Sequence, residues 1–302
     1  MSILSNKQLN KLGDKIKSFS ETEEDLDHLM NFRDTFIKSL FGLSTSIKRR
    51  VSTNDIPYLL TGRLKRKKSI IRKLRRDENK NMDLTRIADL AGLRIIVNEK
   101  TNQEDIYNLI NSNFEVVKIF DYRQSEQNYR SIHLHLKHED GNTIELQIRT
   151  LPQHTWADES ESFGEQVKEN SGDPNALEYL TILSNDIVNL EKGNKIQESD
   201  NFIYKSRNPL ADKLQFLKDN FINATKSIRS SNEDKIYLIV FDSFTRSLNH
   251  SDEFEYSEVE EVFKEYKRLS LYLDDIRYEH LIMNSNSHDS MKLTHPRFFF
   301  KN

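Results

Sequence analysis

The chain has 302 residues, enough for one large domain or two smaller ones, and 36% of them are hydrophobic while 31% are charged. This composition is typical of a very polar but globular protein. The sequence contains no cysteine, which excludes disulfides and thiolate metal sites, and it has no apolar run long enough to span a bilayer or to act as a signal peptide. We therefore expect a cytoplasmic protein.

The charges are distributed unevenly, although the formal net charge is only −3. Nine of the fourteen residues at 63–76 are lysine or arginine, whereas the segments 21–27 and 253–265 are acidic. A basic cluster of this density favours an anionic ligand, such as a triphosphate or a longer polyanion.

Residues 1–60 are predicted to form an N-terminal helical region. The acidic start SETEEDL leads into one long amphipathic stretch, residues 26–51, with apolar residues at helical spacing. Gly62 then opens the basic segment RLKRKKSIIRKLRR, whose aliphatic residues fit one buried stripe of a helix.

Residues 61–200 are predicted to form the central domain. After a short helix in LTRIADLAG, the β-branched run LRIIV indicates a buried strand, and a helix over 102–111 and the strand FEVVKIFDY follow. The turn Asp140-Gly141 joins two segments of strict alternation, which is the strongest short-range signal for a β-hairpin. Helices are predicted over 152–170 and 174–190, with a loop after them.

Residues 201–302 are predicted to form a small C-terminal α/β domain with a regulatory or interaction role. DKIYLIVFDSF and RYEHLIMNS indicate two strands, and the acidic segment SEVEEVFKEYKRL between them indicates a helix. An acidic helix beside a basic site is consistent with a regulatory cover. It is equally consistent with a surface that forms a homo-oligomer or binds a regulatory partner.

The predicted hairpin places polar side chains on one face of the sheet. Because side chains alternate along a strand, the face opposite the aliphatic one gathers His133, His135, Glu145, Gln147 and Arg149. Asp89 precedes the strand LRIIV and adds a second carboxylate near Glu145. A plain solvated face, and a zinc or iron site of His133, His135 and Glu145, are alternative interpretations of the same pattern.

Two carboxylates on one sheet suit Mg²⁺, which binds a few carboxylates and completes its coordination with phosphates and water. Lysine and arginine beside such a metal suit a triphosphate, since phosphoryl transfer depends on positioning and charge neutralisation. The sequence has neither GxxxxGK[ST] nor GxGxxG, so side chains would hold the phosphates. A nucleotidyl-transfer site with Mg²⁺ as cofactor is the resulting hypothesis.

Four motifs, GRLKRKKSIIRKL, DLAGLRIIV, NYRSIHLHL and IELQIRT, follow one another along the central domain. In this order they resemble the synthetase domain of the RelA/SpoT alarmone enzymes, here without the hydrolase domain, since no HDxxxH pattern occurs. The resemblance implies an α/β (α+β) fold, a mixed β-sheet flanked by helices as in polymerase-β-like nucleotidyltransferases, with the small C-terminal α/β unit attached. It also implies transfer of the β,γ-pyrophosphate of ATP to the 3′-hydroxyl of a guanine nucleotide, with Mg²⁺, to give (p)ppGpp.

The resemblance also implies which residues bind ATP. Arg63 and Arg94 would sandwich the adenine. Four further residues would hold the triphosphate: Lys65, Ser69, Lys73 and Arg76. Taken alone, Ser69 and Arg76 are equally well explained as ordinary residues of a helix surface.

The remaining roles concern the metal and the acceptor. Asp89 and Glu145 would bind Mg²⁺, and Glu145 would help to deprotonate the attacking hydroxyl. Tyr129 would stack on the acceptor base, and the other acceptor-binding residues would be His133, Gln147 and Arg123. Trp156, the single tryptophan, is predicted to be a packing residue.

The acceptor loop, DYRQSEQNYRSIH, departs from the family pattern. Members that use free GDP or GTP usually have a longer loop with a lysine, whereas Arg123 is the only cation between Asp121 and Tyr129 here. Three functions stay open: a (p)ppGpp synthetase, a toxin-like enzyme that acts on the 3′-CCA end of tRNA or makes adenine alarmones, and a degenerate nucleotide- or RNA-binding module. The presence of both carboxylates argues against the third.

Overall fold

The computed structural model describes residues 4–124, 128–163, 172–196, 199–206, 210–230, 234–273 and 277–299. It begins with three helices, α1 (Asn6–Lys17), α2 (Glu23–Asp34) and α3 (Ile37–Ser52). Ser5 and Thr22 begin α1 and α2 as capping boxes, in which the hydroxyl accepts a hydrogen bond from the third helical amide. The prediction of one continuous stretch over 26–51 is therefore wrong, because the chain turns between α2 and α3.

The first strand, β1 (Tyr58–Leu64), lies within a stretch that was predicted to be helix followed by a basic segment. Almost all of its side chains are buried, so the strand lacks the alternation that identifies a half-exposed strand. Gly62 belongs to this strand and does not open the next helix. A Cβ atom there would lie 1.9 Å from Oδ1 of Asn284, so glycine at this position leaves room for the Asn284 side chain of the neighbouring strand.

The central part continues with α4 (Lys67–Arg75), β2 (Ala91–Val97), α5 (Lys100–Asn113), β3 (Val116–Asp121), β4 (Ile132–Lys137), β5 (Thr143–Thr150) and α6 (Leu151–Ser162). The predicted β4–β5 hairpin and the strands on LRIIV and FEVVKIFDY are confirmed. The short helix predicted in LTRIADLAG is wrong, since only a 3₁₀ turn, Leu84–Arg86, forms before β2. The end of the helix predicted over 152–170 lies outside the described residues.

The C-terminal part contains α7 (Pro174–Glu191), α8 (Phe202–Ser206), α9 (Leu210–Ser230), β6 (Lys235–Asp242), β7 (Ser247–Phe254), α10 (Val259–Tyr272), β8 (Tyr278–Ser285) and α11 (His288–Thr294). The two predicted strands are confirmed as β6 and β8. Sequence analysis missed β7 because SLNHSDEF is polar, as suits a strand at the edge of a sheet. It also missed α8, which lies within the segment predicted to be a loop.

All eight strands form one sheet in the order β3-β4-β5-β2-β1-β8-β6-β7. The pairing of β2 with β5 is parallel and the other pairings are antiparallel, so the sheet is mixed and the predicted fold class is confirmed. Strand β8 pairs with β1, which makes β6, β7 and β8 a continuation of the central sheet. The domain boundaries at residues 61 and 201 stay predictions.

Helices cover both faces of this sheet. The helices α3 and α5 pack on β2 and β5 and share one core with them, in which Leu40 and Ile106 are fully buried. On the other face, α6 packs on β2 and β5, and α11 packs on β1. A buried ion pair between Lys48 and Asp234 ties α3 to the start of β6. Of the helices in the described ranges, none has the length and apolarity needed to cross a bilayer.

Candidate active site

Strand register brings the polar residues of β2, β4 and β5 to one face of the sheet. Across the parallel β2–β5 pair, Arg94 lies opposite Gln147 and Gly92 lies opposite Glu145. Across the antiparallel β4–β5 pair, His133 lies opposite Gln147. Residues opposite each other on neighbouring strands point to the same side. The groups predicted from the alternation of the hairpin therefore meet in one place.

Two adjoining cavities of about 460 Å³ each lie on this face. The first is lined by nine of the predicted site residues: Arg63, Lys65, Arg76, Asp89, Arg94, Tyr129, His133, Glu145 and Gln147. The second shares five residues with the first, four of them predicted site residues, and adds Ser69 and Lys73. All predicted site residues except Arg123 therefore line one connected region.

Arg123 is held at the outer end of β3, and the lining described for the two cavities does not include it. Its guanidinium donates to the carboxylate of Asp121 at 2.6 and 2.9 Å and also pairs with Glu104. These bonds raise the pKa of Arg123. The acceptor-binding role of Arg123 stays a prediction, and the side chain would have to leave both carboxylates to fulfil it.

Asp89 forms ion pairs with two of the lysines of the basic segment. Nζ of Lys65 lies 2.6 Å from Oδ2, and Nζ of Lys73 lies 2.9 Å from Oδ1. Burial acts to raise the pKa of Asp89, but the charges of Lys65 and Lys73 outweigh it and hold that pKa below its ordinary value. Asp89 is therefore ionised and sits among cations suited to phosphate.

Glu145 has a different environment, because histidine and amide groups hold its two oxygens. Nδ1 of His133 lies 3.0 Å from Oε1, and Nε2 of Gln147 donates to Oε2 at 2.8 Å. Burial acts to raise the pKa of Glu145, but His133, Gln147 and the charge of Lys65 together hold it far below its ordinary range. The carboxylate stays ionised and keeps lone pairs for a further ligand.

Tyr129 joins this group through its hydroxyl as well as through its ring. The hydroxyl lies 2.6 Å from Nε2 of His133 and accepts a hydrogen bond from Nη2 of Arg149 at 2.7 Å. The ring packs at an angle against Tyr122 and Trp156, at centroid distances of 5.7 and 5.9 Å. These three aromatic rings form one wall of the first cavity and suit a flat base.

Arg94 is buried, and residues near the C-terminus cover it. Only 8% of its surface is exposed, and Nη1 donates to the main-chain oxygen of Thr294 at 2.8 Å. Burial, together with the nearby charge of Arg149, lowers the pKa of Arg94 to about 9. Arg63 lines the same cavity, so the region carries an excess of buried positive charge that an anionic ligand would stabilise.

The C-terminal part supplies a wall of the site that sequence analysis did not predict. His295 lines the first cavity and Arg297 lines the second. Arg297 pairs with Glu161 of α6 at 3.6 Å and with Glu279 of β8 at 3.1 Å, and Glu279 also pairs with Arg66. The sequence signal for this wall was the presence of His295 and Arg297 in the mostly apolar segment THPRFFF. Their neighbours in the fold are far away in the sequence, so this signal did not indicate where the two residues lie.

Two further residues of the site were noticed in the sequence without being given a role in binding or catalysis. Arg149 stood on the polar face of the hairpin and lines the first cavity. Trp156 was predicted to be a packing residue; its Nε1 donates to the oxygen of Leu180, and its ring lines the cavity as well. The alternation of β5 was the signal that could have identified Arg149.

The two carboxylates fit a divalent cation. Asp89 and Glu145 line the same cavity, and the charge of Glu145 acts to raise the pKa of Asp89, so a cation between them would relieve their repulsion. Carboxylate oxygens are the protein ligands that Mg²⁺ prefers. Lys65 and Lys73 neutralise Asp89 in this structure.

The zinc or iron alternative has no such support. Among the described residues, the ligating atoms that gather within 4.8 Å of one another belong to His250, Asp252 and Glu265, and the group His133, His135 and Glu145 does not do so. Both ring nitrogens of His133 already bind Tyr129 and Glu145.

Residues 62–164 match the family model described as the region found in RelA / SpoT proteins. This chain carries a RelA/SpoT region. The resemblance inferred from the four motifs is thereby confirmed, and the RelA/SpoT region contains every residue that was predicted for the site. The C-terminal wall lies outside it.

Solved structures resemble about half of this chain. Small alarmone synthetase 1 from Bacillus subtilis is 26% identical, with 55% of this chain and 94% of that chain covered and a TM-score of 0.47. The same protein bound to its product pppGpp is 23% identical, with coverage of 54% and 93% and a TM-score of 0.45. A GTP pyrophosphokinase family protein from Streptococcus pneumoniae is 21% identical, with coverage of 54% and 89% and a TM-score of 0.48. No curated protein matches the sequence.

Proposed function

We propose that this protein transfers pyrophosphate from ATP to the 3′-hydroxyl of a guanine nucleotide and so makes a (p)ppGpp-type alarmone. The observation that carries the proposal is the meeting of Asp89 and Glu145 with a dense group of lysines and arginines in one cavity region of the RelA/SpoT region. Two carboxylates beside this much positive charge suit a nucleoside triphosphate with its metal ion.

ATP would lie across the two cavities, with its phosphates toward the basic segment. Lys65, Lys73 and Arg76 supply positive charge at the boundary of the cavities, and Ser69 supplies a hydroxyl in the second. The adenine would lie toward Arg63 and Arg94. Such an arrangement neutralises the phosphates and orients them, which are the two requirements of phosphoryl transfer.

The acceptor would lie on the side of the aromatic wall. Its base would stack on Tyr129, with Tyr122 and Trp156 beside it, and its ribose would then lie near Glu145 and Gln147. The 3′-oxygen attacks the β-phosphorus of ATP, the bond from that phosphorus to the bridging oxygen of the α-phosphate breaks, and AMP leaves. The proton of the 3′-hydroxyl is lost to a base or to water.

Asp89 and Glu145 would together hold Mg²⁺, which when bound supplies charge neutralisation for the phosphates. The low pKa of Glu145 makes it a weak base, because an efficient base has a pKa near the working pH. We therefore assign Glu145 chiefly to holding the metal and the 3′-hydroxyl in position.

The test offers the purified protein ATP labelled at the γ-phosphate, together with Mg²⁺ and one acceptor at a time: GDP, GTP, ADP, ATP or bulk tRNA. Label in a guanine nucleotide is the expected result. Label only in tRNA or in an adenine nucleotide would overturn the proposed choice of acceptor. No label in any acceptor would overturn the proposed transfer reaction itself. Arg86→Ala, at an exposed arginine of the same region, is the matched control and should transfer label normally.

A further inference from the structure

Arg149 lies on β5, two residues beyond Gln147, and only 4% of its surface is exposed. It lines the first cavity. A single atom of its guanidinium, Nη2, donates two hydrogen bonds, one to the hydroxyl of Tyr129 at 2.7 Å and one to Oε1 of Gln147 at 2.8 Å. Two chains of hydrogen bonds begin at this nitrogen.

The first chain runs through Tyr129 and His133 to Glu145. The ionised carboxylate of Glu145 can only accept, so the proton of a neutral His133 lies on Nδ1, 3.0 Å from Oε1. Nε2 then accepts the proton of the Tyr129 hydroxyl, 2.6 Å away, while the oxygen of that hydroxyl accepts from Arg149. Every donor in this chain therefore points toward Glu145.

The second chain runs through Gln147 to the same carboxylate. The amide oxygen of Gln147 faces Arg149, so its nitrogen faces away and donates to Oε2 of Glu145 at 2.8 Å. The two chains together make a closed ring that begins at Nη2 of Arg149 and ends on both oxygens of Glu145. A single guanidinium nitrogen thus holds the far ends of both chains, while the carboxylate of Glu145 binds their near ends.

We propose that Arg149 is a positioning residue for the transfer reaction, acting on Glu145 through both chains. The inference rests on the proposed function for its effect on rate, but the ring itself is testable without turnover. An arginine retained only for packing would contribute the contact of its guanidinium with the Tyr129 ring, at 5.3 Å from the centroid, and would not hold the Tyr129 hydroxyl against His133.

The rate test compares Arg149→Ala with Arg149→Lys. We expect Arg149→Ala to lower kcat by about 10- to 100-fold, the usual effect of removing a group that orients a ligand-holding residue, with little change in KM for ATP. Arg149→Lys should restore part of the rate, because both chains begin at one nitrogen and a lysine ammonium carries three donors on one nitrogen. Unchanged kcat in Arg149→Ala, or a loss seen mainly in KM, would overturn the proposal.

A double-mutant cycle separates positioning from packing. Tyr129→Phe keeps the ring and removes only the hydroxyl that links Arg149 to His133. If the two residues act through one chain, Tyr129→Phe should lower kcat in the native background and have little further effect in Arg149→Ala. Fully additive losses would contradict a shared chain.

The Nδ1 proton of His133 gives a readout that does not depend on activity. NMR should show a slowly exchanging Nδ1 proton of His133 in the native protein and faster exchange of this proton in Arg149→Ala, where the Tyr129 hydroxyl is no longer held, with Arg86→Ala unchanged. Unaltered exchange of the Nδ1 proton in Arg149→Ala would overturn the inference even if the enzyme is active. Failure of every acceptor to receive label, with the faster exchange present, would instead overturn the proposed function and leave the ring established.

Discussion

The guanidinium of Arg94 donates from Nη1 to the main-chain oxygen of Thr294 at 2.8 Å, which links β2 of the RelA/SpoT region to α11, 200 residues further along the chain. Arg94 is one of the two arginines predicted to enclose the adenine of ATP. Because only 8% of the surface of Arg94 is exposed, its guanidinium can offer a face to a base only if the residues that cover it move. ATP binding and the position of the C-terminal segment should therefore be coupled.

The first prediction concerns hydrogen exchange in the C-terminal segment. We expect ATP to increase exchange of the backbone amides at 288–299, because stacking on Arg94 displaces the Thr294 oxygen from it. In Arg94→Ala, ATP should no longer change exchange in this segment. Slower exchange on adding ATP would contradict the prediction and would mean that the segment closes on the nucleotide as a fixed wall.

The second prediction concerns Glu145→Gln, which keeps the size of the side chain and removes its charge. We expect transfer to fall by at least about 100-fold, because the neutral amide cannot hold a divalent cation in place of the carboxylate. Gel filtration and urea unfolding should show a folded protein in both forms. Transfer within a few-fold of the native rate would remove Glu145 from the proposed mechanism.

The third prediction concerns the packing of β1 against β8. In Gly62→Ala the new methyl group would collide with the side chain of Asn284, and also with those of Leu40 and Leu93 at 2.9 Å each, so these buried side chains or the strands that carry them must shift. We expect the free energy of unfolding to fall by about 1–3 kcal/mol, as measured by urea denaturation. Gly92→Ala is the matched control on β2, since its methyl group would meet only the oxygen of Glu145, at 3.5 Å. Equal effects of the two changes would contradict the close approach.

The same glycine illustrates what the sequence could and could not predict about the fold. The hairpin of β4 and β5 was predictable because one face is apolar and the other polar, which gives strict alternation. Strand β1 was not, because neighbours on both sides bury YLLTGRL and its pattern becomes uniform. Its partner β8 follows more than 200 residues later, and local patterns carry no information about such a pairing.

The fourth prediction concerns the dependence of stability on pH. The pKa of Asp89 in the folded protein lies below its ordinary value of 3.8. The ionised carboxylate therefore stabilises the folded state above that value, and this contribution is lost as the pH falls below 3.8 and passes through the lower, folded-state pKa.

We expect the free energy of unfolding of the native protein to fall more steeply with acid than that of Asp89→Asn, which has no carboxylate to protonate. Urea denaturation at a series of acidic pH values measures the slope. The matched control is Asp105→Asn, at an exposed aspartate of α5, and its slope should follow that of the native protein. Parallel curves for Asp89→Asn and the native protein would contradict the prediction, because they would show that the ion pairs of Asp89 with Lys65 and Lys73 do not stabilise the folded state.

For the site, as for the fold, the sequence could predict what local patterns of residues carry and could not predict what depends on contacts between distant segments. Asp89, Glu145 and the basic residues could be identified because their types and order suit a metal-bound triphosphate, and the strand register then brought them together. The role of Arg149 depends on which of its nitrogens faces Tyr129 and Gln147, and only coordinates give that. The ion pairs of Arg123 with Asp121 and Glu104 likewise depend on coordinates, and its role at the acceptor stays a prediction.

The pairing of β1 with β8 has a consequence for how the chain is made. During synthesis β1 emerges more than 200 residues before β8, so one edge of β1 stays unpaired while the intervening chain is made. Unpaired edges are sites where chains associate wrongly, and contacts so far apart in sequence form slowly. A nascent or prematurely terminated chain would therefore be aggregation-prone, even though its RelA/SpoT region is already complete.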